Sequence, residues 1–257
     1  MRTGLLVEYD HELGIEYLLV LLDNSVPIAG IVFVDHQSSA RSERLLQERT
    51  GGLYEKLPLS TVLSDKNIPI YFIDDINGPN CAKTIVDLGL DLLVSQSSRI
   101  VRVPIFDLPK HGILNCHTAI LPYLRGCSCL EWSIYNNQPV GATCHYMVPK
   151  VDPGPIVSRS LLKYRPGDTY EAIRTKMVYL MAQLMYRSVK KIALGQAAKD
   201  KGQPDLQGPW FSPMRDVETV QAVKDKLIHN EYIPNPFPNQ QSLDVTDIDL
   251  AAHSWSK

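Results

Sequence analysis

Residues 112–126 read GILNCHTAILPYLRG. The first part, GILNC, is a short aliphatic run of the kind that fills a central parallel strand, buried on both faces. Asn115 and His117 stand at its carboxyl end, ahead of a turn punctuated by Pro122 and Gly126. In an open parallel sheet, ligands bind outside the carboxyl ends of the strands. The stretch therefore predicts a strand that hands an amide and an imidazole to a loop at the ligand-binding edge. Cys116, between them, is expected on the opposite face, in the core.

Outward from this stretch, β-branched runs alternate with segments of helical period, the pattern of a parallel sheet wrapped by helices. GLLVEY (residues 4–9) reads as the first strand, followed by a helix with Leu13, Tyr17, Val20 and Leu21 on one face. IAGIVFV (28–34), IPIYFI (68–73) and DLLVS (91–95) are further strands, with a short helix in NCAKTIVDLG (80–89). Arg41, Glu43, Arg44, Glu48 and Arg49 mark a polar helix read as a solvated face. After Gly141, two extended runs are joined by KVDPG (150–154), where Pro-Gly after Asp152 predicts a turn. A long amphipathic helix runs from about Thr169 to Leu194, capped by Asp168 or Thr169. Beyond Gly195 the chain is loop-rich, with one helix expected over 217–229. The class is α/β: a Rossmann-like, doubly wound, mostly parallel sheet over residues 1–195, with a short C-terminal extension over 196–257.

Composition narrows the function. The 257 residues are 44% hydrophobic and 21% charged, enough for one large core with an appendage. A net charge of −2 without any basic block argues against bulk nucleic-acid binding. No apolar run approaches the roughly 18 residues of a membrane span, and the start lacks a cationic leader, so a cytoplasmic protein is expected. The five cysteines are expected to be reduced. Their one close pair, Cys127 and Cys129, is C-x-C rather than a C-x-x-C knuckle, so no metal is expected. EYDHELG (8–14) lacks the glycine pattern of a dinucleotide or phosphate loop, so neither NAD nor ATP is implied.

Asp152, in the turn after the next extended run, can fold back toward Asn115 and His117. Together they supply an amide donor, an imidazole that titrates near neutrality, and a carboxylate able to orient it. His145 and Thr143 share a strand face; His145 reads as a packed residue or one supporting the catalytic residues from behind, and Thr143 as structural.

The segments NCHTAILPYLRG (115–126), EWSIYNNQPVGATCHYMVPKVDPGPIVSR (131–159) and GDTYEAIRTKM (167–177) resemble, in order and spacing, the folate-dependent formyltransferases. That family shows Asn-x-His, a Leu-Pro and Gly turn, Gly-x-Thr-x-His and Asp-x-Gly-Pro-Ile in series. In plan the chain is most similar to the sugar N-formyltransferases. The resemblance implies the formyltransferase fold and transfer of a formyl group from 10-formyltetrahydrofolate to a primary amine. It also implies Asn115, His117 and Asp152 as catalytic residues, with the donor held by Ser97, Ser98, Arg99, Ile100, Leu121 and Val151. Tyr123, Arg125 and Trp132, joined by Trp210, Phe211 and Arg215 of the extension, are the acceptor-binding candidates, since aromatic faces stack on a base and arginine suits a diphosphate.

Small-molecule substrates are expected, and a homodimer is compatible with this plan. A short, non-basic tail argues against a tRNA acceptor, and the missing glycine-rich turn argues against glycinamide ribonucleotide. A nucleotide-linked amino sugar remains the favoured acceptor. Glycinamide ribonucleotide, a peptide or antibiotic amine, and a carbamoyl-type transfer are the alternatives, along with a catalytically idle binding module.

Overall fold

The computed structural model describes residues 1–35, 40–97, 99–149, 152–197, 208–238, 240 and 243–250, and of Arg41 only the backbone. Ser98 and Val151, two of the donor-binding candidates, lie outside these residues. The strands and helices follow the expected alternation: β1 (Thr3–Glu8), α1 (Glu12–Asp23), β2 (Ile28–Val34), α2 (Ala40–Thr50), α3 (Leu59–Val62), β3 (Ile70–Ile73), α4 (Pro79–Asp87), β4 (Leu92–Gln96) and β5 (Ile113–His117). A short pair, β6 (Arg125–Gly126) and the later β9 (Trp210–Phe211), frames α5 (Cys129–Tyr135), β7 (Gly141–Tyr146), β8 (Ile156–Leu161) and α6 (Tyr170–Ala193). The last helix is α7 (Val217–Ile228).

The main sheet has seven strands in the order β3-β2-β1-β4-β5-β7-β8. Strands β1 to β5 pair in parallel, while β7 and β8 run antiparallel to their neighbours. Alternation sends successive side chains to opposite faces. Leu5, Val7, Leu114 and Cys116 join α1 and α6 in one core, whereas Leu6, Val32, Val34 and Ile113 join α4 in another. The doubly wound reading rests on this split. Among the described residues, no helix is long and apolar enough to cross a membrane.

One detail differs from the sequence expectation, and one choice it left open is decided. Asn115 and His117 are not handed to a loop: β5 continues through His117, because β7 runs beside it and pairs Asn115 with His145 and His117 with Thr143. The cap of α6 is Thr169, whose Oγ1 accepts from Ala172 N at 3.2 Å; Asp168 instead accepts from Arg165 N and Lys176 Nζ. The tail is packed onto the body, since Val223, Leu227, Tyr232 and Ile248 share the core of α1 and α6.

Candidate active site

Alternation along β5 and β7 puts Asn115, His117, Thr143 and His145 on one face and Cys116 and Cys144 on the other. The cysteines go to the apolar side, where Cys144 Sγ lies 3.8 Å from Met185 Sδ. Cys81 and Cys129 belong to two further apolar clusters, so the four buried thiols do not converge.

Asp152 reaches the strand pair through the β7–β8 connection. Its backbone is left-handed (φ 66°), and Gly154, two residues on, permits the chain to pass against β7. A Cβ at Gly154 would stand 1.7 Å from the Tyr146 carbonyl oxygen, so only glycine fits there. The carboxylate ends up buried, 7% exposed, between two imidazoles: Oδ1 is 4.0 Å from His117 Nδ1 and 3.9 Å from His145 Nε2. Its other oxygen accepts a hydrogen bond from Gly126 N at 3.1 Å.

His145 donates from Nδ1 to the Tyr146 carbonyl at 3.0 Å. His117 carries a backbone hydrogen bond to Leu124, and its Nε2 has no hydrogen-bond partner among the described residues. In the neutral ring the proton therefore sits on Nδ1, leaving the Nε2 lone pair available. Burial pulls His117 below its ordinary value, outweighing the upward pull of Asp152 and of the Leu124 bond. This corrects the expectation of an imidazole titrating near neutrality: desolvation of a charged ring wins over a carboxylate 4 Å away. Burial likewise lowers His145, and proximity to His117 adds to the effect. His145, expected to pack or to support the site, faces the same carboxylate oxygen as His117. Its partner in β5, Asn115, was the available sequence signal, but antiparallel register had to be known to use it. Thr143 braces the loop after β5, donating to Ala119 O at 2.7 Å and accepting from Leu121 N at 3.0 Å.

The other candidates fall into three groups. Ser97, Arg99 and Ile100 sit beyond the carboxyl end of β4. Arg99 N donates to Ser97 Oγ, and the Arg99 guanidinium binds the Asp35 carboxylate at 2.6 Å and the Asp74 carbonyl at 3.3 Å, tying this loop to the ends of β2 and β3. Ile100 is 62% exposed, as is Val103. Leu121, by contrast, is fully buried, with its carbonyl accepting from Arg159 Nε at 2.8 Å.

Tyr123, Arg125 and Trp132 have another occupation than the expected acceptor, because the chain's own tail covers them. Tyr123 donates to Pro238 O at 2.5 Å and stacks on Phe237 with centroids 4.5 Å apart. Arg125 donates to Gly208 O at 3.2 Å. Trp132 stacks on Phe211 at 5.2 Å and donates to Ser212 O at 2.9 Å. The tail covers part of each of these side chains, which stay half-buried, so the stacking surface expected from sequence is shared with the tail.

A cavity the sequence did not reveal opens one residue past His117. Its walls include His11, Arg49, Thr118, Ser128 and Arg174. Arg49, read from sequence as part of a solvated face, stands on this wall at the last turn of α2. Arg174 pairs with buried Glu131, which also accepts from Tyr170 Oη at 2.7 Å. Although burial acts to raise Glu131, Arg174 and Tyr170 together hold its carboxyl below the ordinary value.

Residues 76–189 match the model of the family described as Formyl transferase. Among curated proteins, the chain is similar to the methionyl-tRNA formyltransferase of Thermotoga neapolitana, 24% identical over 187 residues that make up 72% of this chain and 57% of that protein. It is 28% identical to the methionyl-tRNA formyltransferase of Staphylococcus aureus over 160 residues, 62% of this chain and 51% of that protein. The chain thus spans about half the length of the curated relatives it matches. Among solved structures, the fold matches glycinamide ribonucleotide transformylase 1 from Symbiobacterium toebii with a TM-score of 0.59 at 19% identity, covering 76% of this chain and 88% of that one. A sugar N-formyltransferase from Shewanella sp. matches with a TM-score of 0.56 at 19% identity, covering 82% and 77% respectively. A formyltransferase from Anoxybacillus kamchatkensis, solved with UDP-4,6-dideoxy-4-formamido-L-AltNAc and tetrahydrofolate, matches with a TM-score of 0.52 at 18% identity, covering 88% and 99%. The segment that matches the formyl transferase model carries Asn115, His117 and Asp152, and the fold is the one these solved formyltransferases share.

Proposed function

We propose that this protein transfers the formyl group of 10-formyltetrahydrofolate to a primary amine, the amino group of a nucleotide-linked amino sugar. The observation that carries the reaction is the buried Asp152 carboxylate, held by Gly126 N–H within 4.0 Å of His117 and beside the Asn115 strand. An amine attacking the formyl carbon forms a C–N bond and pushes the carbonyl electrons onto oxygen. The half-buried Asn115 amide is the donor for that oxyanion, and losing such a donor typically costs about 3 kcal/mol. Neutral His117 takes the amine proton at Nε2, and the resulting imidazolium is stabilised by Asp152. Collapse breaks the bond between the formyl carbon and N10 of the folate, and the proton on His117 passes to N10. Exposed Ile100 and Val103 offer an apolar edge to the donor at the end of β4.

Support for the acceptor is its chemistry: Arg49 and Arg174 on the cavity wall suit a diphosphate, and solved sugar N-formyltransferases share the fold. The test is to incubate the protein with 10-formyltetrahydrofolate and, separately, nucleotide amino sugars, glycinamide ribonucleotide, initiator methionyl-tRNA and peptide amines, following products by mass. Formylation of an amino sugar is expected. Formylation of one of the others alone would refute the acceptor, and none at all would refute the reaction.

A further inference from the structure

Residues 208–214 run along the outside of the 122–132 segment and are bonded to it throughout. Gly208 N donates to Pro122 O at 2.7 Å, Arg125 N to Pro209 O at 3.2 Å, and Cys127 N to Phe211 O at 2.9 Å. Met214 N donates to Ser128 Oγ at 3.1 Å, and Trp132 adds its stack and its Nε1 bond. Between these anchors lie the two backbone groups that touch the candidate catalytic pair: Leu124, bonded to His117, and Gly126, whose N–H holds Asp152. Gly126 holds Asp152 through its N–H and pairs with Phe211 of β9. Its φ is +100°, and a Cβ there would stand 2.2 Å from Phe211 O.

We propose that residues 208–214 form a positioning strap, which presses the 124–126 backbone onto His117 and Asp152 and thereby sets the geometry of the pair from outside the site. Asp152 is faced by His117 from β5, His145 from β7 and Cys129 from α5, so the strap is the part of the arrangement that comes from the tail. A loop held only by its own ends pays conformational entropy to keep two backbone groups aimed; lateral pairing with a second segment removes that freedom beforehand. Phe211 and Trp132 are positioning residues, since neither touches His117 or Asp152 in the described contacts.

The inference rests on the proposed formyl transfer for its meaning, but its test does not need turnover. Histidine-labelled full-length protein is titrated by NMR, with His117 and His145 assigned through His117→Gln and His145→Gln. Phe211→Ala combined with Trp132→Phe loosens the strap and admits water to the loop, so His117 should move toward the ordinary value by at least about half a pH unit. Phe211→Tyr, which keeps the stack, should titrate like the parent. Leu21→Ala, in the core face of α1, also lowers thermal stability and should leave His117 where it was. Where an acceptor is turned over, kcat should fall in the strap variant with KM for 10-formyltetrahydrofolate unchanged. An unmoved His117 in the strap variant, or an equal movement in Leu21→Ala, overturns the proposal. Absence of any formyl transfer with a shifted His117 would leave the strap standing and remove only the reaction.

Discussion

Asp152→Asn isolates charge from shape. The asparagine oxygen can still accept from Gly126 N–H, so the hairpin and the loop should keep their positions. What disappears is a negative charge 4.0 Å from His117 Nδ1 in a buried site. At an effective dielectric constant of about 20, two unit charges at that distance attract by about 4 kcal/mol. The attraction exists only once His117 is protonated, which in the proposed reaction happens as the amine attacks. Its loss therefore falls on the transition state and should slow transfer about a thousandfold. The assay is single turnover with saturating 10-formyltetrahydrofolate and the acceptor found by the amine panel, quenched and read by mass. The same variant should titrate His117 at lower pH than the parent, because the group pulling it upward is gone. A rate within about tenfold of the parent, with His117 unmoved, would mean that the carboxylate and the imidazole do not act together.

Stability should fall with acid in a particular window. His117 and His145 have folded values below their unfolded one of about 6.5, so the unfolded chain binds more protons; their contribution is full above about pH 6.5 and is lost as pH drops, by up to about 1.4 kcal/mol per pH unit for each ring. Thermal unfolding at pH 7.5 and pH 5 should show a larger drop for the parent than for His145→Gln, and equal drops would contradict the assignment. Glu131→Gln strands the Arg174 guanidinium and should lower the urea-unfolding free energy by about 3–5 kcal/mol, with Arg174→Met in the same background recovering part of it; an unchanged urea midpoint would show that the pair is unimportant.

The order of strands and helices was legible along the chain because hydrophobic period is a local property. Residues 28–34 and 217–229 read as a strand and a helix from side chains at most a few positions apart, and the structure places β2 and α7 there. Cys116 likewise went to the core by alternation alone. The resemblance to formyltransferases was legible for a related reason: Asn115, His117, the Gly141–His145 run and the Asp152 turn are local signatures whose spacing survives without coordinates.

Other features depended on which distant segments meet. Whether His145 packs or supports the site was open until antiparallel register laid it opposite Asn115 and left its Nε2 3.9 Å from Asp152. His117 looked like an ordinary imidazole until burial was known, and desolvation is a property of the whole surrounding shell. Tyr123, Arg125 and Trp132 have the composition of a ligand surface, yet segments some 80 to 115 residues later in the chain occupy them. Arg49 was a charge on a polar helix until α2 met the end of β5 across a cavity. The sequence by itself determined the order of the main strands and helices and which residues are offered as a site, because both are written in short-range spacing. Only the tertiary structure decided protonation, exposure and partners, because these are set by atoms far apart in the chain and close in space.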